Sequence, residues 1–317
     1  MKQRDNFLKA IKFEGPVNVP INGEFNNKYR NISDAIGVFG GCGLEEWGIN
    51  FTRLDNDKTM GQVKNHPIAT VEDYDRYELP PLDTKNQFCG VKKQVDEHKK
   101  QGRFVFGLMA SYIFERMHYL RGMESLFEDM YMEPERFQAL GDKITDFQIE
   151  TIKAYALAGV DGIWGGDDWG LQDRLMISPE LWRKFFKPWY TRMFMAAKEY
   201  GIITYMHSCG YISDIIGDLI DAGLNVIEIQ QPTIMGIEKL GKEFGGKICF
   251  SCSVDIQKTM PNGNREEIES QVIQLKDNLG CFNGGLIYLF YPDYSAIGVD
   301  DHTIEFLHSM YDKYRKY

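Results

Sequence analysis

GIITYMHSCGYISDIIGDLIDAGLNVIEIQQ, residues 201–231, reads as one strand–helix–strand unit. The apolar run ITYM leads straight into His207-Ser208-Cys209-Gly210, and a Gly-bounded apolar run of this length has the pattern of a buried strand. ISDIIGDLIDAG is helical and NVIEIQ is the next strand. The same alternation extends both ways. Upstream, RFVFGLMA is a strand, and Pro134 opens a long helix with Phe137, Leu140, Ile144, Phe147 and Tyr155 at helical spacing and Gly159 closing it. VDGIWGGDDW is another strand. Ser178-Pro179-Glu180 caps a further helix, in which Pro188 is expected to kink or break the path. Downstream, KICFSCSVD and GLIYLFYPD are strands, each followed by a helix. Six strands thus alternate with helices, the signature of a parallel sheet covered by helices.

The first hundred residues are less regular. A short amphipathic helix opens the chain, PVNVPING (16–23) reads as a strand entered through prolines, and Ser33 to Phe39 reads as helix-like. GINFTRL and GQVKNHPI are candidates for a small paired sheet. With one or two strands from this region, strand count and length favour an α/β fold of the closed (β/α)8 TIM-barrel type, with an irregular N-terminal excursion, as one domain over 1–317. No glycine-rich phosphate fingerprint follows the first strand, which counts against a dinucleotide fold.

Composition narrows the function classes. A net charge of −10 over 317 residues, without a Lys/Arg cluster, disfavours nucleic acid and a membrane surface as partners. No run of 18 apolar residues occurs and the N-terminus lacks a signal-peptide core, so a soluble cytoplasmic protein is expected. Six irregularly spaced cysteines suit free thiols better than a disulfide framework.

Barrel geometry gives the motifs a common address, because catalytic groups come from strand C-termini that open onto one face. Those ends carry Asp167-Asp168, His207 and Cys209, Gln230-Gln231, Cys252 and Asp255, and Tyr291 to Tyr294. If the strand stays extended, His207 and Cys209 share a face, and imidazole with thiolate is a zinc-ligand pair. The bland alternative is a buried histidine beside a buried free cysteine. Asp168 is a candidate to orient a ligand or bind a phenol hydroxyl, or else caps a loop. Gln231 is a candidate substrate contact, although Gln-Pro after a strand is also turn chemistry. Trp164, Trp169, Tyr205, Tyr291 and Tyr294 are candidates to line an aromatic pocket, or else pack between strand and helix.

From RDNFLKAIKFEGPVNVP through LRGMESLFEDM, GGDDWG, SPELWRKFFKPWY, HSCG, IGDLIDAGLNVIEIQQP, LGKEFG and SVDIQKTMPNG, the chain resembles the uroporphyrinogen decarboxylase superfamily. His-x-Cys-Gly at this strand end resembles its zinc-dependent, corrinoid-linked methyltransferase branch. The resemblance implies a TIM barrel, a zinc ion, and a corrinoid (cobalamin) carried by a partner protein. Where the decarboxylase proper carries an arginine-rich motif, this chain reads NGEFNNKYRNI, with Arg30 alone. Where the thiol-methylating members carry a third ligand cysteine, it reads YPDYS. Cys252 is the expected replacement ligand, with Asp293 an alternative and Cys249 on the opposite face a weaker one.

The chemistry these residues imply is removal of a methyl group from a methoxylated aromatic, with zinc on the departing oxygen and the corrinoid attacking carbon. The rival enzyme reading is methyl transfer from a methylated corrinoid to a thiol. A catalytically silent barrel that binds a ligand or partner is the alternative from another class.

Overall fold

The computed structural model describes residues 2–23, 32–53 and 61–317. Eight strands form one sheet: β1 (Ile21–Gly23), β2 (Ala35–Phe39), β3 (Phe104–Ser111), β4 (Gly162–Gly166), β5 (Ile203–His207), β6 (Val226–Ile229), β7 (Cys249–Cys252) and β8 (Leu286–Phe290). Each neighbouring pair is parallel, in the order β1-β8-β7-β6-β5-β4-β3-β2. At the seam the Asp34 amide donates to Ile21 O at 2.8 Å, and the Ile21 amide donates to Asp34 Oδ2 at 2.9 Å. The result is the expected (β/α)8 barrel, nearly closed.

Ser33 to Phe39 differs in type from the sequence reading. Ala35–Phe39 is a strand, paired in register with Phe104–Leu108. Gly37 permits this, since a Cβ there would lie 2.6 Å from the Leu108 side chain. Pairing with a long buried neighbour outweighs local propensity in so short a segment. The excursion between β2 and β3 contains the anticipated small sheet, Phe51–Thr52 antiparallel to Gln62–Val63. The helix Pro179–Glu199 runs unbroken through Pro188, anchored on either side of it by buried Phe185, Phe186, Trp189 and Tyr190. Proline removes one backbone donor, and the packed aromatic face holds the helix across the gap.

Two buried clusters divide the core. Phe104, Phe106, Ile203, Tyr205, Val226, Cys249 and Ile287 fill the barrel interior, closed at the N-terminal end by Phe7 and Ile11 of the helix Gln3–Ile11. The other lies between sheet and helices and includes Cys252, Trp169 and Tyr294. All six cysteines are free. Among the described residues no helix is long and apolar enough to cross a membrane.

Candidate metal centre

His207 is the last residue of β5 and stands in register with Gly166 of β4 and Glu228 of β6. Two backbone bonds then zip the loop after β4 to the end of β5: Asp167 N–H donates to His207 O at 3.0 Å, and Gly170 N–H donates to Cys209 O at 3.1 Å. The Cys209 amide in turn donates to Asp168 Oδ1 at 2.8 Å. These bonds bring three donor atoms together. His207 Nε2 lies 3.2 Å from Cys209 Sγ and 3.4 Å from Asp168 Oδ1, and the three ligand atoms all fall within 4.8 Å of one another. The His207 side chain is 16% exposed and that of Asp168 37%, so the group faces the barrel mouth.

The glycines in both loops explain how the chains approach. A Cβ on Gly210 would sit 2.1 Å from Gly170 O, and one on Gly170 would sit 2.3 Å from the Tyr211 nitrogen. Backbone meets backbone there, which only glycine allows.

Electrostatics follow from burial and from this crowding. Burial alone would lower His207, but Cys209, Asp168 and Glu228 outweigh it and hold the imidazole well above its ordinary value. Burial pushes the Cys209 thiol up, with His207 pulling the other way. For Asp168, burial is outweighed by His207 and the Cys209 amide, and the carboxyl stays below its usual range. Glu115, on the helix Phe114–Arg121, is held well above the carboxylate range by burial and then by Asp168 and Asp167. Asp167 is fully buried and accepts from the amides of Ile113, Phe114 and Glu115 and from the Tyr190 hydroxyl. Burial raises it to about 6. Asp167 therefore anchors the helix start, and Asp168 alone points into the site.

A carboxylate, an imidazole and a thiol are a donor set that fits zinc, a mixed O, N and S group one short of tetrahedral coordination. The residue that joins His207 and Cys209 in the candidate group is Asp168, not Cys252 or Asp293. Cys252 is fully buried in the cluster between sheet and helices, and burial keeps its thiol far above the ordinary range. Register explains this, because Glu228 pairs with Ser251 and it is Ser251, not Cys252, that shares the lumen face with His207. Asp293 caps the turn Tyr294–Ile297, accepting from the amides of Ser295 and Ala296. Arg30 lies outside the described residues.

The aromatic candidates separate by depth. Trp164 is half-buried on β4, with Nε1 donating to Glu228 Oε2 at 3.2 Å. Tyr291 is half-buried beyond β8, its ring 5.8 Å from that of Tyr294, which is buried. Tyr205 lies below the cluster, its hydroxyl donating to Ser251 Oγ at 2.6 Å. Trp169 is buried against Phe114, ring centroids 4.0 Å apart, with Nε1 donating to Tyr190 Oη. Gln231 Oε1 accepts from the Gly210 amide at 3.2 Å and so fixes the loop. Glu228 and Glu115 were not anticipated. The signal for Glu228 was available: a carboxylate inside the otherwise apolar strand NVIEI needs a partner.

The sequence pattern of the uroporphyrinogen decarboxylase (URO-D) family matches residues 33–285. Over 193 residues the chain is 25% identical to the methylcobamide:CoM methyltransferase MtbA of Methanosarcina mazei, an alignment covering 60% of this chain but only 53% of that enzyme. It is 22% identical over 265 residues to the uroporphyrinogen decarboxylase of Geotalea daltonii, covering 80% of this chain and 74% of the relative. A solved methyltransferase from Methanosarcina mazei superposes with a TM-score of 0.72 over 99% of both chains at 15% identity, a likeness of fold.

Proposed function

The chain belongs to the uroporphyrinogen decarboxylase family, and from that premise we propose that it is a zinc-dependent methyltransferase, moving a methyl group from a methoxylated aromatic to the Co(I) corrinoid of a partner protein. The observation that carries this reading is the convergence of Asp168, His207 and Cys209 at the barrel mouth. These three would hold the zinc, which when bound supplies Lewis acidity toward the oxygen that loses its methyl group.

The chain's own residues do the rest. Trp164 and Tyr291 offer aromatic faces to an aromatic substrate. Glu115, which burial and the neighbouring Asp168 and Asp167 hold above the usual carboxylate range, is the candidate to supply a proton to the departing phenolate. Cys209 and Asp168 stay fixed on each other through the Cys209 amide, so the donor set is preformed. Asp168 as third donor also bears on direction. A carboxylate gives less electron density to a metal than a second thiolate does, leaving a stronger Lewis acid suited to an ether oxygen.

The similarity to MtbA favours a second reading with the same ligands, methyl transfer from a methylated corrinoid to a thiol. Purified protein mixed with a reduced corrinoid protein and a panel of methoxyarenes distinguishes them. Methylcorrinoid absorbance and free phenol are expected to appear together, with no decarboxylation of uroporphyrinogen, because the stretch NGEFNNKYRNI holds one arginine and the chain carries a net charge of −10. Phenol release without corrinoid protein, or thiol methylation with no turnover of any methoxyarene, overturns the O-demethylase reading.

A further inference from the structure

Glu228 is fully buried in the barrel interior, and its two carboxylate oxygens face different partners. Oε1 lies 2.9 Å from His207 Nδ1, and Oε2 accepts the Trp164 indole N–H at 3.2 Å. The strand register builds this arrangement in. His207 of β5 and Glu228 of β6 are direct neighbours on the same face, and Ser251 of β7 continues the row. Beneath them the Tyr205 hydroxyl, bonded to Ser251 Oγ and accepting from Asn22 Nδ2, is the next polar group.

A buried carboxylate is retained only where something compensates its charge. Here the groups that face it are the Trp164 indole N–H and the ring of His207. Its Nδ1 is 2.9 Å from a carboxylate that can only accept, so Nδ1 carries a proton, which turns Nε2 toward Cys209 and Asp168.

We infer that Glu228 is a positioning residue: it fixes the Nδ1–H tautomer and the rotation of His207, presents Nε2 to the metal position, and links that ligand to the Trp164 wall. The inference rests on the reading of Asp168, His207 and Cys209 as metal ligands, and deepens it. Carboxylates behind a metal-bound histidine commonly contribute about 10–100-fold in affinity.

The test uses the full chain and zinc alone, with two readouts. Competition with a chromophoric chelator gives zinc affinity for the wild type, Glu228→Ala and Glu228→Gln. Long-range proton–nitrogen spectra of the metal-free protein, recorded at a pH high enough for the His207 ring to be neutral, give the His207 tautomer, its signal identified by its loss in His207→Gln. Glu228→Ala is expected to bind zinc about 10–100-fold more weakly and to lose the pure Nδ1–H signature. Glu228→Gln, which keeps an acceptor but not the charge, is expected to retain the tautomer with an intermediate loss of affinity. It also serves if the alanine variant does not fold. Wild-type affinity and an unchanged tautomer in Glu228→Ala overturn the inference, as does an unchanged affinity in Glu228→Gln should the alanine variant not fold. If the wild type binds no zinc, the metal reading fails, while the spectra of the metal-free protein still decide whether Glu228 sets the tautomer.

Discussion

The Cys209 amide donates a 2.8 Å hydrogen bond to Asp168 Oδ1, so one residue supplies a candidate thiolate ligand and also orients the neighbouring candidate carboxylate. The loop after β4 and the end of β5 are therefore a single unit at this point. Asp168→Ala removes both a donor atom and the acceptor for that amide. It is expected to lower zinc content from about one per chain to a small fraction, as is Cys209→Ser, since two remaining ligands hold zinc poorly. Elemental analysis of the purified variants measures this directly. Full zinc occupancy in Cys209→Ser removes the cysteine from the ligand set.

Gly210 and Gly170 supply the backbone contact on which that unit depends. Gly210 has φ +78°, and an added Cβ would lie 2.1 Å from Gly170 O, so the strain is both conformational and steric. Gly210→Ala is expected to cost about 1–3 kcal/mol in chemical denaturation and to weaken zinc binding, though it touches no ligand atom. A variant of wild-type stability and zinc affinity shows that the loops do not need this approach.

His118 makes the pH dependence of stability testable. Burial, and then the proximity of His66, depress its imidazole to about 4, with Asp168 acting the other way. The unfolded chain takes up this proton near 6.5 and the folded one does not until about 4. The stabilisation is thus fully present above 6.5 and is lost as pH falls through that window, by roughly 3 kcal/mol at most. Wild type is expected to lose stability relative to His118→Gln when denaturation curves are compared between pH 7 and pH 4. Parallel curves at every pH show that His118 does not carry this term.

Most barrel strands were legible because parallel strands buried on both faces read as apolar runs, as ITYM and LIYLF do. Ala35–Phe39 was not, since Ser33-Asp34-Ala35 resembles a capped helix start and only pairing with Phe104–Leu108 decides the matter. His207, Cys209 and Asp168 stand out as metal-capable residues at strand ends, and the structure brings them together. Cys252 stands out for the same reason, yet its face depends on strand register, which a single sequence does not contain. Tyr205 and Trp169 illustrate a related limit. Both are near the mouth in sequence, but burial depth is set by tertiary packing against Phe106 and Phe114.

The identity of the third donor is where direction of methyl transfer becomes testable within this one chain. Asp168 and a cysteine carry the same formal charge when ionised, so exchanging them alters softness far more than charge. A second thiolate gives more electron density to the metal, which weakens its pull on an ether oxygen and makes a metal-held thiol a better nucleophile. Asp168→Cys is therefore expected to keep about one zinc per chain, to lose tenfold or more of its methoxyarene demethylation on the order of 1.4 kcal/mol in barrier, and to gain thiol methylation from a methylated corrinoid. The ratio of the two rates is the quantity to measure, because a general loss of folding or metal lowers both. A ratio equal to that of the wild type, at full zinc occupancy, shows that the carboxylate does not set the direction, and the thiol reading then has the stronger claim.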